Sequence, residues 1–310
     1  MRVEDTLDDE DYDEFGWLQE VAEDAGLAFK APQVRRREID APPHGALSAL
    51  QWGAGEPQTI LLHGGRQNAH TWDTVLQDLD RPALALDLPG HGRSFRRADG
   101  NYGALANAAT LATVLPAVAP KARTVIGMSL GALTAIRLGS LLSGWIERLV
   151  LVDATPPVER EPVDRSRAKE RGVADVQRLK RYERFDDILA VATALNPRRS
   201  PASVARETRL NARRLADGAW SWRFDVAGRL PQTPANWAEM MSLWDDVDRI
   251  AAPTMLVRAE YSRFVSDANV AQLRQRLPKV RVEVMRESGH AIQSDQPRAL
   301  AALIRDFCFS

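Results

Sequence analysis

Thr124-Val125-Ile126-Gly127-Met128-Ser129-Leu130-Gly131-Ala132 is the stretch that leaves this chain least freedom. A β-branched, apolar run ends in Gly-x-Ser-x-Gly, and the pentad opens directly into Leu130 to Leu142, which has helical spacing and no proline. Strand, tight turn and helix therefore follow one another without a spacer. Such a turn crowds the backbone around its central residue. The positions two before and two after Ser129 must lack a bulky side chain, and Gly127 and Gly131 meet that demand. The Ser129 hydroxyl is thereby thrust off the end of the sheet.

The chain has 310 residues, more than a typical single core needs, and suits one large α/β domain with an insertion. Its 41 basic and 42 acidic residues leave a formal net charge of -1. That balance argues against a nucleic-acid or membrane-surface binder and favours a small-molecule partner. A single cysteine, Cys308, excludes an internal disulfide framework and a cysteine-rich metal site, and no metal or cofactor is expected. Residues 1–14 carry eight acidic side chains and no apolar segment, so they do not form a secretory signal. No later run approaches membrane-spanning length, and the expectation is a soluble, cytoplasmic protein.

In chain order, residues 1–44 are expected to be an acidic leader with one short amphipathic helix between Phe15 and Phe29. Arg35-Arg36-Arg37 and Pro42-Pro43 read as a charged, extended linker, and the globular domain is expected to begin near Gly45. A modest strand over Ala46 to Trp52 precedes apolar strands at Thr59 to Leu62 and Ala83 to Leu86, each of which stops at a glycine-rich loop. Further strands are predicted at Leu149 to Val152, Thr254 to Val257 and Val280 to Val284. Continuous apolar strands alternating with helix-length segments imply an α/β fold with a mostly parallel sheet covered on both faces, and such sheets hold ligands at the carboxyl ends of their strands.

His63-Gly64-Gly65, Asp87-Leu88-Pro89-Gly90-His91-Gly92-Arg93-Ser94, Gly127-Met128-Ser129-Leu130-Gly131 and Ser288-Gly289-His290 stand in that order. In order and spacing the chain resembles the α/β-hydrolase superfamily, over about Gly45 to Asp153 and Ile250 to Phe307. The resemblance implies a core of residues 45–154 and 246–310 and a helical cap at 155–245. It leaves the substrate open, because the same fold hosts esterases, lactonases, thioesterases, carbon-carbon hydrolases and non-catalytic receptors. Members that form an alkyl ester on the enzyme place aspartate at the turn; serine there suits acyl transfer.

A serine hydroxyl is a poor nucleophile at neutral pH unless a histidine takes its proton. Of five histidines, His44 precedes the first predicted strand and His70 lies at a polar helix start, while the resemblance gives His63 and His91 structural roles. His290, after the last strand, stands where the superfamily carries its base. The usual acid position after Met255 to Arg258 holds Ser262, so the acid is expected at Asp153, the tip of the preceding strand, with Glu260 and Asp267 as alternatives. The resemblance further implies two oxyanion donors, the amides of Gly65 and Leu130. Arg66 could add charge to a substrate pocket. The middle segment ends in a run of aromatics that includes Trp220, Trp222, Phe224, Trp237 and Trp244, of which Trp222 and Trp237 are candidates to line an apolar acyl or aryl pocket. Small apolar esters, lactones or thioesters are the expected substrates.

Overall fold

The computed structural model describes residues 6–7, 12–158, 181–197, 199–225 and 234–310. The N-terminal part supplies β1 (Thr6–Leu7), α1 (Leu18–Asp24), β2 (Val34–Ala41), β3 (Gly45–Trp52), β4 (Thr59–Leu62), α2 (Asp73–Leu79) and β5 (Ala83–Leu86). The motif region follows as α3 (Ala104–Val118), β6 (Thr124–Met128), α4 (Leu130–Leu141) and β7 (Arg148–Val152). An insertion contributes α5 (Phe185–Leu195), α6 (Pro201–Asn211), β8 (Ala212–Leu215) and β9 (Trp220–Trp222). The chain closes with α7 (Pro234–Val247), β10 (Thr254–Ala259), α8 (Asp267–Arg276), β11 (Arg281–Met285), α9 (Ile292–Asp295) and α10 (Pro297–Phe309).

Eight strands form one sheet in the order β11-β10-β7-β6-β4-β5-β3-β2, in which β3 runs antiparallel to both neighbours and the remaining pairs are parallel. Alternation along the central strands divides the core between the two faces. Leu62, Val125, Leu151 and Leu256 pack on one side with α3, α4 and α7, while Leu61, Ile126, Val150 and Met255 pack on the other with α2 and α10. Strands apolar on both faces need helices on both, which is why the chain alternates as it does. Among the described residues no helix is long and apolar enough to cross a membrane.

Three expectations change. Val34–Ala41 is not a linker but the edge strand of the main sheet, paired along its whole length with β3. Its charges alternate in partner as a strand requires: Arg36 meets Glu14, Ser48 and Asp87, whereas Arg35 and Arg37 meet Gln51. Charged side chains on an edge strand also discourage pairing with another chain. The leader, expected to be an acidic segment with one short helix, joins the fold where it is described: Thr6 and Leu7 pair with β8, Glu14 enters the Arg36 cluster, and Arg206 of α6 reaches Glu20 and Asp24 of α1. The rest of the leader, residues 1–5 and 8–11, lies outside the described residues, as does 159–180 of the expected cap. The insertion is not wholly helical: its strands β8 and β9 form a three-stranded sheet with β1 of the leader, beside a small core of Ile188, Val204, Ala212, Trp222 and Phe224. Its expected end at residue 245 falls inside α7, which packs Leu243, Trp244 and Val247 on the main core and pairs Asp246 with Arg137.

Candidate active site

The turn at Ser129 has the strain its sequence demands. Ser129 sits at φ 52, ψ -115, a region that a non-glycine residue occupies only when its surroundings hold it there. A Cβ at Gly127 would run into the Gly131 carbonyl, and one at Gly131 into the Leu62 carbonyl. The Ser129 N–H donates to Val152 O at 3.0 Å, tying the turn to the end of β7.

Asp153 is the next residue of that strand end. Its N–H donates to Val257 O at 2.8 Å, and its Oδ1 accepts the Ala259 N–H at 2.9 Å, so β10 fixes the carboxylate on one side. The other oxygen, Oδ2, lies 2.8 Å from His290 Nδ1, and His290 Nε2 lies 2.9 Å from Ser129 Oγ. A carboxylate accepts, so Nδ1 carries the ring proton and Nε2 turns a lone pair to the serine hydroxyl. Asp153 is fully buried, while the His290 side chain keeps 27% of its surface. The row is therefore closed at its aspartate end and open at the histidine.

The alternatives for the acid lie elsewhere. Glu260 Oε2 accepts the Glu287 N–H at 2.7 Å, and Asp267, 97% exposed, pairs with Arg258. Glu260 nonetheless braces the loop that carries His290, as does Asp295, whose Oδ2 accepts the Gly289 N–H at 2.7 Å. Phe264, which the sequence reading did not single out, lies against the His290 ring at 3.9 Å between centroids although it is 58% exposed. Nothing periodic marks it in the sequence. Its signal is the exposure of a large aromatic ring.

His63 organises the facing loop. Its Nε2 accepts the Leu88 N–H at 2.9 Å, leaving Nδ1 to donate to Gly64 O at 2.7 Å. Burial, reinforced by neighbouring His91, pushes its pKa down to about 3, so this neutral arrangement persists across the physiological range. Gly64 lies against Met128 and Ser129, and a Cβ there would come within 2.5 Å of Met128 Sδ. Gly65 is exposed and faces open space. Among the described residues, neither its N–H nor that of Leu130 meets a backbone or side-chain acceptor.

The remaining candidates are more dispersed. Arg66 is half-buried with φ 68, and its carbonyl accepts from Asn211. Trp222 is buried in the small core of the insertion, stacked on Phe224 at 5.5 Å, with Nε1 donating to Tyr182 Oη at 3.3 Å. Phe224 reaches His91, at 6.5 Å between centroids, so this core borders the loop after β5. Trp237 is half-buried on α7. Clefts of about 370 and 510 Å³ beside Arg35 and Gln51 open near the start of β2 and the end of β3, where Trp52 pairs with Ala83, so they sit at the opposite end of the sheet from Ser129.

The sequence profile of the alpha/beta hydrolase family matches residues 59–303, most of the chain and every residue of the serine row. The chain belongs to the α/β-hydrolase family. It is 45% identical over 295 residues to Esterase Rv0045c of Mycobacterium tuberculosis (strain ATCC 25618 / H37Rv), covering 94% of this chain and 95% of that one. A solved structure of the M. tuberculosis esterase superposes with a TM-score of 0.83 at 44% identity, over 96% of this chain and 98% of that chain. Esterase YbfF of Escherichia coli (strain K12) is 26% identical over 80% of this chain and 91% of its own. The crystal structure of E-2-(acetamidomethylene)succinate hydrolase shares the fold, with a TM-score of 0.73 at 20% identity, over 90% of this chain and all of that one. Near-complete coverage at this identity makes the chain an α/β-hydrolase of the esterase type, with serine at the turn.

Proposed function

We propose that this α/β-hydrolase cleaves small apolar carboxylic esters through an acyl-enzyme on Ser129, with His290 as general base and acid and Asp153 as its orienting partner. The continuous row from Ser129 Oγ through both nitrogens of His290 to Asp153 Oδ2 carries the reading. Ser129 Oγ attacks the carbonyl carbon while its proton passes to His290 Nε2, and the carbonyl oxygen becomes an oxyanion. That charge is met by the N–H groups of Gly65 and Leu130, the latter also opening helix α4. Collapse expels the alcohol, which takes the proton from His290 and leaves Ser129 acylated. Water then attacks the acyl carbon, gives a proton to His290, and releases the acid as Ser129 recovers that proton.

The described part of the insertion after β7, residues 181–197 and 199–225, serves as the cap over this site, supported by its aromatic core at the loop after β5. Phe264 bounds an apolar acyl pocket beside His290, with Trp222 of the insertion, Trp237 of α7 and Arg66 as its further lining. Action in the cytoplasm belongs to the same proposal, in keeping with a single, free cysteine. The test is rapid-mixing hydrolysis of p-nitrophenyl esters of increasing chain length. A burst of p-nitrophenol equal to the enzyme concentration, absent in Ser129→Ala, is expected for the best substrate; steady turnover that survives Ser129→Ala would overturn the mechanism.

A further inference from the structure

The Gly65 loop is gripped from the insertion. Helix α6 ends at Asn211, whose Nδ2 donates to the Arg66 carbonyl. Its Oδ1 accepts from Asn68 Nδ2 at 3.1 Å, and that same nitrogen donates to Leu210 O at 3.0 Å. Asn211 O accepts the Arg223 N–H at 2.7 Å, which secures the helix end to the chain leaving β9. Asn68 is buried, and its Oδ1 accepts the His70 N–H at 2.9 Å.

The Arg66 carbonyl matters because of what shares its peptide plane. In a trans peptide the C=O and the following N–H point in opposite directions and turn together. Arg66 C=O is thus coupled to the Gln67 N–H, which donates to Gly64 O at 3.2 Å. Gly64 C=O is coupled in turn to the Gly65 N–H. The chain of bonds runs from Asn211 to Arg66, from Gln67 to Gly64, and out through Gly65, with each bond polarising the next. His63 Nδ1 is the second donor to Gly64 O, at 2.7 Å. Arg66 needs this hold: at φ 68 it occupies the left-handed region, which a non-glycine residue keeps only when its surroundings fix it there.

We infer that Asn211 is a positioning residue for ester hydrolysis: from the end of an inserted helix it fixes the Arg66 peptide so that the Gly65 N–H stays aimed at the oxyanion. The insertion thereby sets the rate of the chemical step as well as covering the site. This rests on the reading of Gly65 as an oxyanion donor given above.

The test compares Asn211→Ala and Asn211→Asp with wild type, using kcat and KM for a p-nitrophenyl ester, the inhibition constant of an alkyl trifluoromethyl ketone, and Tm. The ketone reports the oxyanion site directly, because Ser129 Oγ bonds its carbonyl carbon, the serine proton passes to His290, and the carbonyl oxygen takes the negative charge. Both variants should lose kcat by about ten- to a hundredfold with KM within about twofold, and ketone inhibition should weaken by the same factor. Aspartate has the shape of asparagine but sets an acceptor against the Arg66 carbonyl. A space-filling role would therefore be restored by Asn211→Asp, and such rescue would overturn the inference, as would unchanged kcat and ketone affinity in Asn211→Ala. Asn68→Ser keeps a hydroxyl for the His70 N–H and removes the donor that braces Asn211. It should shift kcat and ketone affinity in the same direction, and if both Asn211 variants fail to fold, unchanged values in Asn68→Ser would overturn the inference. A ketone that inhibits every Asn211 variant like wild type while Ser129→Ala abolishes turnover removes Asn211 alone; turnover unaffected by Ser129→Ala removes the acyl-enzyme reading beneath it.

Discussion

His290 and His70 each hold an aspartate oxygen 2.8 Å from Nδ1, and the two pairs part company at the other ring nitrogen. At His290 that nitrogen meets a serine hydroxyl; at His70 it meets Glu14 at 3.4 Å and Arg36 at 3.3 Å. Burial by itself would strip the proton from His70, but Asp73 and Glu14 outweigh burial and the opposing Arg36, and raise its pKa to about 9. The cluster is anchored by Asp87, fully buried, where Arg36 and the N–H groups of Arg93 and Ala69 overcome the cost of burial and hold the carboxyl below its usual range. A histidine that keeps its proton cannot take one from a nucleophile. In the proposed mechanism the same side-chain pair serves as a base at His290, whereas at His70 it holds a buried cation, and the third partner decides which.

Substitutions that treat the pairs alike should separate them most widely at the histidines. His290→Ala is expected to lower kcat by about a millionfold in ester hydrolysis, whereas His70→Ala should leave kcat near wild type in whatever fraction stays folded. At the aspartates, Asp153→Asn favours the wrong tautomer of His290 and should cost about three to four orders of magnitude in kcat with little change in KM. Asp73→Asn, Glu260→Gln and Asp267→Asn should each cost far less. A drop of similar size at Glu260 would show that bracing the loop matters as much as orienting the ring.

The contrast was only half legible in the sequence. Gly127, Ser129 and Gly131 stand out because a strand-to-helix turn makes its steric demands on adjacent residues, and Asp153 because it caps a run of apolar residues beside a vacant position, Ser262. Glu260, weighed as an alternative to Asp153, reaches a backbone amide of the same loop, a distinction that only side-chain geometry could draw. The His70 cluster was not legible, because its members Glu14, Arg36, His70 with Asp73, and Asp87 come from four separated segments. For the same reason β2 looked like a charged linker: its arginines make sense only against partners distant in sequence. Strands β8 and β9 are too short for alternation to register, and Asn211 carries no motif at all.

Removing Glu14 tests the cluster without touching the site. Glu14→Ala leaves Arg36, Arg93 and His70 short of a buried partner and should lower unfolding free energy by about 3 kcal/mol in denaturant titration, with esterase turnover unchanged. Deleting residues 1–14, which removes the same carboxylate, should act in the same direction. Unaltered stability would mean that the cluster needs no N-terminal carboxylate.

The smallest effect is on pH dependence. His70 binds its proton more tightly folded than unfolded, so its contribution is fully present below its ordinary value of 6.5 and fades as pH rises through about 9. Tm should therefore decline between those values more steeply in wild type than in His70→Gln. Parallel curves would contradict a protonated His70.

The most direct measurement of the central claim is intact mass after treatment with a fluorophosphonate, followed by peptide mapping. Ser129 Oγ should displace fluoride from phosphorus, passing its proton to His290, to give one phosphonyl group per chain on the peptide that contains Ser129. Ser129→Ala should take up none, and Asp153→Asn should react far more slowly. A stoichiometric adduct on another residue, or undiminished labelling of Ser129→Ala, would contradict the account.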